Sequence, residues 1–137
     1  RLTAALLVVM SRTETVMVNI VAFGGDFTPK WPSENKLGLL TAESLPNALQ
    51  FLRSLPLVHG ESRDYYLALQ AAFAVIEHEG KTGNGVEAIH FVSSVEPDFG
   101  DPVAFATLRN EEMPNPVPIF TTALDPTFGA SELMKKM

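Results

Sequence analysis

Apolar residues recur along this chain in two rhythms, a helical one and a strand-like one. Leu2, Leu6, Val9 and Met10 fall near three- and four-residue steps, which predicts a first helix over residues 2–11. Residues 15–23 (TVMVNIVAF) are rich in β-branched side chains and run into Gly24-Gly25-Asp26, a strand followed by a turn. Asn19 is the odd residue in that run and is expected on a partly polar face or in a hydrogen bond. Pro29, Trp31 and Pro32 interrupt residues 27–35, where no regular structure is expected. Residues 36–40 then form a short edge strand returning antiparallel. Thr41 and Glu43 mark a helix start, with Pro46 in its first turn and a buried stripe of Leu45, Ala48, Leu49 and Leu52.

The strongest succession comes next. Tyr66, Leu69, Phe73 and Ile76 predict a helix over residues 63–79, with Ala68, Ala71 and Ala72 allowing close approach to a sheet. Gly80 and Gly83-Asn84-Gly85 end it. Residues 88–94 (AIHFVSS) form a buried strand that runs on to Val95-Glu96-Pro97. A helix over 101–112 is capped by Asp101 with Pro102 at its first position. A strand over 117–124 follows, near the sheet edge because of Pro118, and Asp125-Pro126 turns into a last helix near 129–137. Two of the three clear strands follow helical crossovers. That predicts a mostly parallel sheet with one antiparallel edge strand and helices on both faces, a Rossmann-like three-layer α/β fold. Such sheets carry their functional groups at the carboxyl ends of the strands, here around Ser93, Ser94, Glu96 and Asp98.

Composition narrows the function classes. The 137 residues suit one domain, and 46% hydrophobic with 19% charged residues describes a globular chain. A net charge of −6 with ten scattered Lys and Arg argues against a nucleic-acid partner. Without cysteine there is no disulfide, thiolate metal site or Cys nucleophile. No apolar run is long enough to span a membrane, so no membrane insertion is expected; the short run 4–10 reads as helix rather than signal peptide. Both ends open or stop on helical patterns without caps, so the chain reads as a fragment of a larger protein, residues 1–137 forming one domain truncated at both ends. Compartment is not legible.

The succession NIVAFGGD (19–26), Trp31 before a short strand, LLTAESLPNALQFLRSLPLVHGE (39–61), YYLALQAAFAVIE (65–77), IHFVSSVEP (89–97) and VPIFTTALDP (117–126) resembles a von Willebrand factor A domain across nearly the whole chain. The resemblance implies that family's three-layer fold and a metal-ion-dependent adhesion site at the carboxyl edge of the sheet. The family builds that site from an Asp-x-Ser-x-Ser loop, a loop Thr and the Asp of a Thr-Asp-Gly turn. A hard divalent cation is then held by oxygen ligands, with one position left open for a partner's carboxylate. This chain departs from all three elements. The first strand and its loop are absent, the Thr position falls on Arg63 or Ser62, and the Asp position holds Ser94. An Arg beside the site and a Ser in place of a carboxylate both weaken cation binding, so the site is expected to be degenerate and metal-free. The missing strand lies centrally in the family, between 15–23 and 88–94, so a parent protein or another segment is expected to fill the slot.

Other motifs carry less. Gly24-Gly25-Asp26-Phe27 lacks the second acid of the cyclic-dinucleotide synthase signature, and Gly80-Lys81-Thr82 follows a helix with Val75 where a phosphate loop needs Gly. Ser62, Ser93 and Ser94 lack a nucleophile elbow and a placed His–acid pair. Among the three histidines, His78 is expected solvated near a helix end and His90 hydrogen-bonded in the core, while His59 faces the presumed site. The acids Glu61, Glu96, Asp98, Asp101 and Asp125 serve as turns and caps, or else as a substitute cation site or an acidic patch for a basic partner. Trp31 either anchors a partner or covers the open edge of the sheet.

The expected function is therefore a non-enzymatic protein-interaction or scaffold module without cofactor. Its contact surface comprises Asp26, Trp31, His59, Glu61, Ser62, Arg63, Ser94, Glu96, Asp98 and Asp125. The alternative is a Mg- or Ca-dependent ligand-binding domain completed by upstream residues with Glu96 or Asp98; a Rossmann-type enzyme comes third.

Overall fold

Four helices and three two-stranded sheets make up the described part of a computed structural model covering residues 2–13, 15–24, 28–56, 64–93, 97, 100–123 and 135–137. The chain is mixed α/β. Helix α1 (Leu2–Thr13) leads to β1 (Val16–Val18) and β2 (Ile20–Val21), followed by β3 (Lys30–Trp31) and β4 (Gly38–Leu40). Helices α2 (Leu45–Ser54) and α3 (Tyr65–Thr82) come next, then β5 (Ile89–Ser93), α4 (Pro102–Glu111) and β6 (Ile119–Ala123). The last helix expected near 129–137 lies largely outside the described residues.

The helix boundaries follow their caps. Asp64 and Asp101 each accept, through Oδ1, the backbone N–H three residues on, from Leu67 and Ala104 at 3.0 Å. Ahead of α2, the Ser44 N–H reaches Thr41 Oγ1 at 3.2 Å and Ser44 Oγ accepts from Thr41 N–H at 2.8 Å, so Thr41 caps a turn that precedes the helix. Gly83, at φ +86, closes α3 with its N–H on the carbonyls of Glu79 and Gly80.

Sheet pairing departs from a mostly parallel arrangement. Only β5 and β6 run parallel among the described strands, Ile89 facing Ile119 through to Ser93 facing Ala123, with α4 as the crossover. The pairs β1–β4 and β2–β3 are antiparallel. They are two stretches of one ribbon, because the chain folds back between residues 22 and 29 and returns along itself. Lys30 and Trp31 thus join a ladder within a stretch expected to be irregular, since both prolines flank this two-residue strand. The ladder extends to Ala22 N–H on Pro29 C=O at 3.0 Å.

Two apolar clusters hold these pieces. One gathers Leu7, Ile20, Leu40 and Ala48 from α1, the ribbon and α2. The other gathers Tyr65, Ala68, Leu69 and Phe73 of α3 with Phe91 of β5 and Ala106 of α4. On α3 the fully buried tyrosine is Tyr65; of the expected stripe Leu69 and Phe73 are buried, while Tyr66 and Ile76 are only half-buried. On β5 the strand period turns Phe91 inward and its neighbour outward. His90 is therefore exposed and stacked on Phe120 at 5.3 Å, rather than a core residue. His78 is half-buried rather than solvated, its Nε2 without a partner among the described residues.

Candidate functional site

The carboxyl end of β2, the middle of β5 and the amino end of α3 meet in a knot of three aromatic rings. Phe23, just past β2, lies 5.7 Å from Tyr65 in an edge contact and 5.4 Å from Phe91 in a stacked one. Tyr65 and Phe91 are 4.9 Å apart. Each such pair contributes roughly 0.5–1.5 kcal/mol beyond its area burial. The sequence supplies one ring from each of three elements, so the knot fixes how those elements sit against one another.

A second tie brings α4 to the same edge. The Tyr66 hydroxyl accepts the Asp101 N–H at 2.9 Å and donates to the Asp101 carbonyl at 3.1 Å. The Tyr66 ring packs on Phe105 at 5.0 Å. Gly100, at φ +82, lies so close beneath that ring that a Cβ would run into it. The amino ends of α3 and α4 are thereby adjacent, next to the carboxyl end of the parallel pair β5–β6.

Most of the residues expected to form the site lie outside the described residues: Asp26, His59, Glu61, Ser62, Arg63, Ser94, Glu96, Asp98 and Asp125. What the structure gives is their immediate neighbours. Phe23, Asp64, and Ser93 with Gly100 bound three of the connections that carry these positions, and the two aromatic ties hold their elements at one edge. Trp31 is described and stands elsewhere. It is half-buried on β3, opposite Ile20, and packs on the Leu7–Leu40 cluster.

The two described acids at this edge, Asp64 and Asp101, each use one carboxylate oxygen to cap a helix. As a donor set they do not fit a cation that takes six to eight oxygen ligands, and Glu96 and Asp98 lie outside the described residues. No step through a metal follows from these groups.

Sequence reasoning missed Tyr66 as a tie, having placed it in the core stripe, and missed Glu79 altogether. Glu79 is only 3% exposed and its carboxylate binds three partners. One signal was present: it stands four residues beyond Val75, on the buried side of α3, where an acid is out of place.

A shallow cavity of about 310 Å³ lies at the other end of the parallel pair, between α4 and the start of β6, lined by Ala106, Asn110, Val117 and Met137. The Asn110 amide is already spent on Val117, donating to its carbonyl at 2.8 Å and accepting its N–H at 2.7 Å. No helix of the described residues is long and apolar enough to cross a membrane. The sequence matches no protein-family model and no curated protein.

Proposed function

We propose that this chain is a von Willebrand factor A-like domain serving as a non-catalytic, metal-free protein-interaction or scaffold module. Its contact surface is the edge where the aromatic knot and the Tyr66–Asp101 tie converge. That convergence is the observation that carries the reading. In an open α/β sheet the connections at the carboxyl ends of the strands are the ones free to vary, while the strands beneath hold them rigidly. Here three rings and one tyrosine hydroxyl anchor three such connections, so a partner meets a surface whose base costs little to order. Its chemistry favours recognition over cation bridging. Arg63 or Ser62, and Ser94, fall at the positions where the resembling family supplies cation ligands, and the described acids are committed to caps.

Calorimetric titration of Mg²⁺, Ca²⁺ and Mn²⁺ into the protein tests this. The expected result is no saturable heat at millimolar metal, with Glu96→Ala and Asp98→Ala indistinguishable from the parent. Saturable binding abolished by either substitution overturns the metal-free reading and makes the domain a cation-dependent ligand binder. Cross-linking from the Gly100–Asp101 edge then identifies the partner.

A further inference from the structure

The ribbon β1–β2/β3–β4 changes register in its middle. Val18 faces Gly38, yet two residues on Ile20 faces Trp31, so Asn19 alone stands opposite residues 32–37. Those residues leave the ladder as a strap. Its two ends close on each other, because Gly38 has no Cβ to obstruct the Pro32 ring. Pro32, Ser33, Glu34 and Lys36 are exposed. A long exposed excursion of this kind orders only if its backbone groups find partners.

Two side chains supply them. Asn19 Nδ2 donates to the carbonyls of Ser33 at 2.9 Å and Lys36 at 2.8 Å, standing in for the missing ladder. From the other side, Glu79 Oε1 accepts the Leu37 N–H at 2.9 Å, reaching across from the end of α3. Asn84 Nδ2 donates to Glu79 Oε2 at 2.7 Å and the Thr82 hydroxyl does so at 3.3 Å. Glu79 sits near the carboxyl end of a helix, where the dipole disfavours an anion, and is 3% exposed. A buried acid in so unfavourable a place has its purpose in the bond across to Leu37.

We infer that Glu79 is a protonation-sensitive latch that fixes the strap of residues 32–37 against α3. In its charged form it holds the strap down, and on protonation the strap loosens while the helices stay folded. The Asn84 amide and then the Leu37 N–H hold its carboxyl below the usual 4.5; burial opposes them, and Thr82 and His78 lower it further. The charged and titratable neighbours are His78 and Lys81 on α3 and Lys30, Glu34 and Lys36 around the strap. Lys30 is engaged with Asn35 at 2.8 Å, and Glu34, Lys36 and Lys81 are exposed. None of them replaces the Leu37 bond.

The chain has one tryptophan, and it is Trp31, at the root of the strap. Trp31 emission and far-UV circular dichroism, followed together as pH falls from neutrality, read the latch directly. Trp31 should shift to longer wavelength in a step below pH 4.5, complete before half the helical signal is lost. Glu79→Gln, neutral like the protonated acid and with an amide N–H₂ in place of one acceptor oxygen, should show the shifted emission already at neutral pH and no step there. Glu79→Ala should show the shifted emission already at neutral pH. Trp31 and helical signals changing together in the parent, or an unchanged acid step in Glu79→Gln, overturns the inference. If Glu79→Ala fails to fold, the Gln variant still decides.

Discussion

Single residues in this protein act where the backbone cannot satisfy itself. Asn19 was legible as out of place among β-branched neighbours, with a partly polar face or a hydrogen bond as the expected remedy, and the hydrogen bond is what it makes. Which groups it would bind was not legible, because the partners, Ser33 and Lys36, are set by a register change no local pattern announces. Replacing Asn19 with Ala leaves two carbonyls without that donor and should cost about 1–3 kcal/mol. Urea denaturation measures this, with the midpoint falling and the slope unchanged. Gly100 is the other residue with no substitute. Gly100→Ala puts a side chain at φ +82 and against the Tyr66 ring, which should cost roughly 1–3 kcal/mol from the backbone alone and more from the clash. Tyr66→Phe, which keeps the ring and removes the hydroxyl, should cost about 1 kcal/mol. A Gly100→Ala loss no larger than that of Tyr66→Phe would show that the loop moves away without strain.

At the scale of elements, the sequence located every helix of the described part and the strands β4, β5 and β6 to within a few residues, because their signals are local. Caps, a helical stripe and a Gly at the end are written within one turn of the place where they act, as at Asp101, Pro102 and Gly83. The ribbon was harder. Residues 15–23 read as one strand and form two, and Lys30–Trp31 read as irregular and form a strand, since pairing is decided by residues ten or more positions away. The two faces of β5 were misread at His90 for a related reason. Period two fixes the alternation, but which face meets α3 depends on Phe23 and Tyr65 arriving from elsewhere. Phe91 is therefore the position where element geometry concentrates. Phe91→Ala should cost about 3–5 kcal/mol, whereas Asp101→Ala, which loosens only the start of α4, should cost about 0.5–2 kcal/mol. Thermal unfolding of the two variants separates these, and the reverse order would mean that the edge is held by α4 rather than by the knot.

For the whole molecule, the question is whether two apolar clusters make one cooperative unit. They draw on different elements: the first on α1, the ribbon and α2, the second on α3, β5 and α4. The links between them are specific. Phe23 continues the ribbon into the second cluster, and Glu79 reaches from α3 back to Leu37 at the register change in the ribbon's middle. With a tie at one end of the ribbon and another at its middle, neither cluster can open without exposing part of the other. Urea unfolding at neutral pH should therefore give coincident transitions by Trp31 emission, which reports the first cluster, and by far-UV circular dichroism, to which the long helix α3 of the second contributes most. The same link sets the pH dependence. Glu79 has a lower pKa folded than its ordinary 4.5, so it binds its proton more readily unfolded, and stability rises with pH through that range. Its contribution is complete above pH 4.5 and is lost as pH falls through the lowered folded value. In Glu79→Gln that part of the acid dependence should vanish, and the two urea transitions should begin to separate, because a neutral amide holds the Leu37 N–H more weakly than the carboxylate does. In Glu79→Ala the bond is gone, and the transitions should separate, with Trp31 emission changing at the lower urea concentration. Transitions that separate already in the parent protein would make the chain two weakly coupled units, and the ribbon would then have to be treated as the part that folds last.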